Sequence, residues 1–110
     1  MTQEHTISDD AFKRVAQLFK ALAHPTRARV LWTLSERGPT SAGQLGDGLD
    51  LEQSALSHQL KVLRQHRLVR TTRQGREVHY ALLDDHVQHI VRDALLHVIE
   101  PDDVIDVDEG

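Results

Sequence analysis

The segment from Asp84 to Glu100 has ligand-type side chains at both ends. Asp84 and His86 open it, and His97 and Glu100 close it. Two imidazoles and two carboxylates are a plausible ligand set for a divalent metal ion. The residues between them have helical spacing, so the two histidines would lie about 16 Å apart at ~1.5 Å per residue. Metal–ligand bonds are only about 2 Å long, so one copy of this helix cannot close the site.

Pairing the helix with a second copy of itself brings the two halves together. On an ideal helix His86, His97 and Glu100 fall on one face, and Asp84 lies at or before the cap. The pair 84 and 100 and the pair 86 and 97 are both nearly symmetric about Arg92. An antiparallel helix pair with its two-fold axis near Arg92 would therefore contain two identical four-ligand sites. We expect a homodimer that binds one metal ion per protomer.

Composition fits one small domain. The chain has 110 residues, of which 39% are apolar and 27% charged, and no stretch approaches the length of a membrane span. The polar, acidic beginning MTQEHTISDD is unlike a secretory signal, so we expect a cytoplasmic protein with no membrane partner. Cysteine is absent from the sequence, which excludes disulfides, thiolate metal sites and cysteine nucleophiles.

Charge is distributed unevenly along the chain. The formal net charge of −4 argues by itself against a nucleic-acid partner. However, the window 53–76 contains no acidic residue and six basic ones: Lys61, Arg64, Arg67, Arg70, Arg73 and Arg76. The acidic residues that follow Pro101 are Asp102, Asp103, Asp106, Asp108 and Glu109. A basic segment of this kind is the electrostatic footprint of nucleic-acid binding, although a charge run alone is more often a solvated face.

Two helices are predicted before Gly38. Ser8 is suited to cap the first, and His24-Pro25 separates it from the second, because the residue before proline avoids the α region. Pro25 suits the first turn of the second helix. The apolar residues at helical spacing are Phe12, Val15, Leu18, Phe19 and Leu22 in the first helix, and Val30, Leu31 and Leu34 in the second.

A helix-turn-helix is predicted next. Ser41 and Gln44 have the capping-box spacing of a short third helix, and Asp50 and Gln53 repeat that spacing for a fourth. Two short capped helices joined by a tight turn are typical of a helix-turn-helix. The apolar face of the fourth helix is formed by Leu56, Leu60 and Leu63.

After Leu68 the pattern becomes that of strands, in VRTTR and REVHYAL, with Gln74-Gly75 as the turn. Asp84 or Asp85 should then cap a last helix that runs to about Glu100 and stops at Pro101. We predict a mainly α fold with a small β-hairpin wing, a winged helix-turn-helix of order ααααββα over residues 8–100. Residues 1–7 and the acidic tail 101–110 are expected to be disordered.

The fourth helix has a polar face that is suited to DNA. The N-terminal residues of the second helix in a helix-turn-helix enter the major groove, and here these are Gln53, Ser54, Ser57 and His58. Phosphate contacts are expected from Lys61, Arg64, Arg73 and Arg76. Arg73, Gln74 and Arg76 would form a wing tip that reaches the flanking backbone.

This order of elements, together with ALAHPTRARVLWTL and LEQSALSHQLKVLRQHRLV, resembles the ArsR/SmtB family of winged-helix metal-responsive repressors. The resemblance covers roughly residues 10–100. It implies a homodimer that binds a palindromic operator without metal and leaves it with metal. The pattern Asp-x-His-(x)10-His-x-x-Glu matches all four positions of the metal site on the C-terminal helices of SmtB-like members.

The sequence departs from the family pattern at two places, and the family also implies a contact between the metal site and the fourth helix, the recognition helix. Glu52 stands where the family often has a small polar residue, and we expect it to lower DNA affinity. The thiolate site of the third helix is absent from AGQLGDGLDL, so sensing of arsenite or lead through thiolates is not expected. In relatives, a ligating imidazole holds a backbone carbonyl just after the recognition helix, and this role maps to His97 and the carbonyl of Arg67.

Zinc is the expected metal, because two imidazoles and two carboxylates suit a tetrahedral Zn(II) site. A carboxylate as the last ligand resembles the zinc sensors of the family. Ni(II) or Co(II) is the alternative, since sensors of those ions add ligands to reach six-coordination. His5, His89 or the acidic tail could supply such ligands, although His89 lies about 60° from the ligand face.

Other functions fit the sequence less well. An enzyme is not expected, because Ser57 and His58 are adjacent on a helix and do not face each other. Neither an HExxH motif nor a glycine-rich phosphate loop is present in the sequence. Two further alternatives are a repressor that senses a non-metal signal and a metal-binding or interaction module that has lost DNA binding.

Overall fold

The computed structural model describes residues 6–105, which form five helices, three strands and one short 3-10 helix. In chain order these are α1 (Asp9–Leu22), α2 (Pro25–Arg37), β1 (Thr40–Ser41), α3 (Ala42–Leu49), α4 (Gln53–Gln65), β2 (Val69–Gln74), β3 (Glu77–Leu82), α5 (Asp85–Val98) and the 3-10 helix Pro101–Asp103. The predicted winged helix-turn-helix is confirmed, with β2 and β3 as the wing. Within residues 6–105, none of the helices is long and apolar enough to cross a membrane.

Local capping explains where α1 and α3 begin. The Ser8 hydroxyl accepts a hydrogen bond from the Ala11 N–H at 3.1 Å. At α3 the Ser41 hydroxyl accepts from the Gln44 N–H at 3.2 Å, and the Gln44 side chain accepts from the Ser41 N–H at 3.3 Å. Both hydrogen bonds of the predicted capping box are therefore present.

The second predicted capping box, Asp50 with Gln53, is wrong. Asp50 has φ 53 and ψ 49 and ends α3 in the left-handed conformation, whereas an N-cap residue needs extended backbone. Helix α4 begins instead after Glu52, whose side chain makes no capping hydrogen bond. Asp50 is used to close the turn of the helix-turn-helix, which leaves no short polar residue to cap α4.

The wing strands belong to an antiparallel three-stranded sheet of order β1-β3-β2. Strand β1 was not predicted, because two residues are too short to show an alternating pattern. The hairpin turn lies one residue later than expected: Gln74 pairs with Glu77, so Gly75 and Arg76 form the turn. Gly75 has φ 65, a conformation that favours glycine.

The core lies between α2, α3, α4, α5 and the base of the wing. The predicted core faces of α2 and α4 are confirmed as buried, and Leu45, Leu68, Val69, Val87 and Val91 join them. Helix α1 differs, because its apolar face turns mostly outward. Phe12 is 58% exposed and Phe19 60% exposed, so this face has no partner among the residues that the structure describes.

The last helix ends earlier than predicted. Helix α5 stops at Val98 and Ile99 is its C-cap, so Glu100 lies outside the helix with φ −119 and ψ 167. The reason is Pro101, because the residue before a proline is restricted to extended backbone. The placement of Glu100 on the face of an ideal helix is therefore wrong, although Glu100 still follows the end that carries His97.

The start of the predicted disordered tail has local structure. Residues 101–103 form one 3-10 turn, in which the Glu100 N–H donates to an Asp103 carboxylate oxygen at 2.8 Å. Residues 1–5, which include His5, and residues 106–110 lie outside the described residues. Thr6 and Ile7 are exposed and have no regular structure.

Candidate metal and DNA sites

Asp84 and His86, which form the first half-site of the predicted metal site, lie close together at the beginning of α5. One carboxylate oxygen of Asp84 caps the helix by accepting from the Val87 N–H at 3.0 Å. The other oxygen lies 3.8 Å from Nδ1 of His86. The side chains of Asp84 and His86 are 47% and 93% exposed. One oxygen thus orients Asp84, and the half-exposed carboxylate and the exposed imidazole are both accessible from solvent.

His97 and Glu100, which form the second half-site, lie at the other end of the same helix. His97 is in the last turn of α5, Glu100 follows in extended backbone, and both are exposed. Within residues 6–105, no group of three or more His, Cys, Asp or Glu side chains could hold a metal ion in one chain. The structure therefore keeps the four predicted ligands as two separated pairs, as the spacing along the helix requires.

The middle of helix α5 contacts α2 through Arg92. The Arg92 guanidinium forms an ion pair with Glu36 at 3.0 Å and lies over the Trp32 ring, 5.6 Å from its centroid. A largely apolar groove of about 260 Å³ runs between α2 and α5 near this contact. Val98, which lines this groove, is 63% exposed, and Leu96 is 53% exposed. These residues of α5 and the exposed residues Phe12 and Phe19 of α1 are large apolar side chains that nothing within residues 6–105 covers.

All nine predicted DNA-binding residues are exposed. Those on α4 are Gln53, Ser54, Ser57, His58, Lys61 and Arg64, and those of the wing are Arg73, Gln74 and Arg76. Leu56, Leu60 and Leu63 bury the opposite face of α4. The helix therefore presents its polar face outward, while its apolar face packs in the core.

Two contacts that position α4 were not predicted. A Cβ added at Gly46 would lie 2.7 Å from Nε2 of Gln53, so glycine allows α3 and α4 to approach closely. Arg27 donates through Nε to the Gln59 side-chain oxygen at 2.8 Å and through a terminal N–H to the Ala21 carbonyl at 3.2 Å. No local sequence signal identifies these partners, because Arg27 and Gln59 lie 32 residues apart.

A short route of contacts connects the first half-site to the end of α4. Arg67 follows α4 in the left-handed conformation with φ 58. The next residue, Leu68, accepts through its carbonyl from the Leu83 N–H at 3.0 Å, and Leu83 directly precedes Asp84. The hydrogen bonds within residues 6–105 do not include one between His97 and the Arg67 carbonyl, so that link stays a prediction.

Comparisons with known proteins agree with this architecture. A helix-turn-helix domain family matches residues 22–72. A transcriptional repressor SmtB homolog of Synechocystis is 38% identical over 100 residues, which cover 91% of this chain and 75% of the relative. The HTH-type transcriptional regulator NmtR of Mycobacterium tuberculosis is 40% identical over 91 residues, which cover 83% and 75% of the two chains.

The fold is also found among solved structures. The homodimeric winged helix-turn-helix DNA-binding domain of a possible ArsR-family regulator from Mycobacterium bovis matches with a TM-score of 0.76 and 21% identity. The match covers 88% of this chain and 89% of that domain. Because the relatives are transcriptional regulators, the expectation that this protein is not an enzyme is confirmed. The chain belongs to the ArsR/SmtB family of winged-helix, metal-responsive transcriptional repressors.

Proposed function

We propose that this protein is a zinc-responsive repressor that binds palindromic operator DNA as a metal-free homodimer and releases it when Zn(II) binds. Each of two sites would combine Asp84 and His86 of one protomer with His97 and Glu100 of the partner subunit. The observation that carries the proposal is the placement of two exposed ligand pairs at opposite ends of α5. Neither pair alone supplies the four ligands of a closed zinc site.

The dimer is supported by the unpartnered apolar surface. Phe12 and Phe19 on α1 and Leu96 and Val98 on α5 are each more than half exposed. Several large apolar side chains exposed on one small domain favour an interaction site, since apolar patches on soluble proteins mark such sites. A two-fold pairing of α5 would cover it and place the beginning of one α5 beside the end of the other. The similarity to a homodimeric domain supports the same assembly.

Zinc is proposed from the donor chemistry. Two imidazoles and two carboxylates complete a tetrahedral site without thiolates, and the chain has no cysteine. Position 100 tolerates a ligand outside the helix, since the extended backbone there lets the carboxylate approach from beside the helix end. Ni(II) or Co(II) remains the alternative, for which exposed His89 on the same helix is a candidate additional ligand.

DNA recognition is proposed for the polar face of α4 and for the wing. Gln53, Ser54, Ser57 and His58 would meet base edges and nearby phosphates in the major groove. The charged phosphate contacts would come from Lys61, Arg64, Arg73 and Arg76, with Gln74 beside them at the wing tip. Two such faces, related by the dimer axis, match a palindromic site.

The proposed regulation works through the relative placement of the two protomers. A metal ion shared by two α5 helices favours one dimer geometry, and this geometry sets the distance between the two α4 helices. Metal and DNA then weaken each other's binding by the same factor. Within a protomer, the contact from Leu83 to the Leu68 carbonyl supports such coupling. The proposed bond from His97 to the Arg67 carbonyl would add a second connection.

Titration of the metal-free protein with cobalt(II), followed by visible absorption, tests the site. Intense d–d bands that saturate at one ion per protomer support a tetrahedral site and zinc sensing. Weak bands at that stoichiometry would point to higher coordination and to the nickel or cobalt alternative. A titration without any saturable signal would contradict metal binding, leaving a repressor that responds to a non-metal signal.

A further inference from the structure

A crevice of about 390 Å³ opens between α1, α2 and the C-terminal end of α4. Its lining residues are Gln17, Lys20, Ala21, Arg27, Val62 and His66. Two of these carry a positive charge, a third is a histidine, and none is acidic. The crevice shares no residue with the proposed metal site or with the nine proposed DNA contacts.

Arg27 lines this crevice and is partly buried. Its hydrogen-bond acceptors are the neutral oxygens of Gln59 and Ala21, and the ion pairs within residues 6–105 do not include it. A guanidinium has five N–H donors, so part of its donor capacity is unused. A partly buried charge without a counter-ion is unfavourable, and a bound anion would relieve that cost.

Helix α2 adds to the positive potential at Arg27. Arg27 lies in the first turn of this 13-residue helix, the end at which the helix dipole disfavours a cation and favours an anion. That turn contains no acidic residue to offset the arginine. The positive potential of the crevice therefore comes from the helix as well as from the side chains.

The crevice would stay open in the proposed dimer. On α1, Gln17 lies about 200° around the helix from Val15, and Val15 shares the outward apolar face with Phe12 and Phe19. The acidic residue Asp10 lies near the N-terminal end of α1, away from Gln17 and Lys20, and forms an ion pair with Arg14 at 2.9 Å. It therefore does not neutralise the crevice.

We propose that this crevice is a binding site for a phosphate-type oxyanion. Arg27 would bind two oxygens through its planar N–H groups, while Lys20 and His66 would supply further donors at the opening. The anion could be a DNA phosphate beside the recognition helix α4, since Val62 and His66 of the crevice lie at the C-terminal end of this helix. It could equally be the phosphate group of a small molecule. Both sources share the same chemistry.

Binding is tested with inorganic phosphate at constant ionic strength, using the full metal-free chain and NMR of the Arg27 Nε–H group. The expected result is a saturable chemical-shift change at Arg27 and at the His66 ring. The phosphate affinity obtained from this change should fall at least tenfold in Lys20→Gln. Arg29→Gln removes the same charge from the other side of α2 and should bind phosphate like the wild type. Lys20 and His66 are exposed, so their variants stay informative even if Arg27→Gln does not fold.

The source of the phosphate is distinguished by the salt dependence of binding to a random-sequence DNA duplex. If DNA supplies it, Lys20→Gln lowers the steepness of log affinity against log salt by about 1.8 for the homodimer, which has two crevices, whereas Arg29→Gln does not. An unchanged slope together with the NMR shift assigns the crevice to a small phosphorylated molecule. The proposal is overturned if phosphate causes no saturable shift and the slopes of the two variants do not differ.

Discussion

Two variants that each lack one proposed ligand should restore a metal site when they are mixed. His86→Ala removes a ligand at the beginning of α5, and His97→Ala removes one at its end. In either homodimer both shared sites are incomplete. In a mixed dimer both substitutions fall in the same site, because each site takes one end from each subunit. The second site of that dimer keeps all four proposed ligands.

The expected recovery follows from the geometry. Random exchange of equal amounts makes about half of the dimers mixed, each with one intact site, so metal occupancy should reach about one quarter of the wild-type value. A site within one chain predicts no recovery. That alternative is already disfavoured, since His86 and His97 lie about 16 Å apart along α5 at ~1.5 Å per residue.

The assay is cobalt(II) absorption in the presence of a competing chelator, with native mass spectrometry to count mixed dimers. His89→Ala is the matched control, because His89 is another exposed histidine of α5 outside the proposed ligand set. It should bind cobalt as the wild type does. If mixed dimers form in the expected amount and no cobalt signal returns, the shared site is refuted.

Four further predictions address regulation, DNA binding and stability. His97→Asn should lose metal-driven release of DNA more completely than it loses metal, and normal release in a fluorescence anisotropy assay would argue against the role of His97. Arg73→Gln and Arg76→Gln should each weaken binding to all DNA sequences alike and lower the steepness of the salt dependence by about 1.8 for the homodimer, which loses one phosphate contact in each protomer. An unchanged slope would remove the wing from the interface. Asp84→Ala should destabilise the metal-free protein by about 0.5–2 kcal/mol through loss of the cap of α5. His86→Ala should leave the stability unchanged, so equal midpoints of urea unfolding for these two variants would contradict the prediction. Leu60→Ala, at a position that is 2% exposed, should cost about 2–5 kcal/mol in urea unfolding; a cost under about 1 kcal/mol would mean that α4 is not anchored there.

Local patterns were sufficient for most elements because their causes are local. The caps at Ser8 and Ser41 depend on residues three positions away, and the buried face of α4 depends on spacing along one helix. The errors occurred where two local rules competed. Asp50 could cap α4 or close the turn before it, and the turn required its left-handed conformation. Pro101 ended α5 before Glu100 could join it.

The metal half-sites and the crevice differ in how far they could be predicted. Asp84 and His86 are two residues apart at a helix start, so their proximity follows from local structure. The contact between Arg27 and Gln59 joins residues 32 positions apart on different helices. Such a contact arises from the way α1, α2 and α4 pack, which no spacing rule describes.

The amino-acid sequence by itself determined the order of elements, the basic window, the ligand types and the family resemblance. It also showed that one copy of α5 cannot close a four-ligand site, because the rise per residue of a hydrogen-bonded helix and the length of a metal–ligand bond both have fixed values. The tertiary structure alone decided that α1 turns Phe12 and Phe19 outward, and that Arg27 lines a crevice with no ion-pair partner among residues 6–105. It also decided that Leu83 connects the first half-site to the residues that follow α4. These features depend on which surfaces are buried when the helices pack together, and burial is a property of the whole chain.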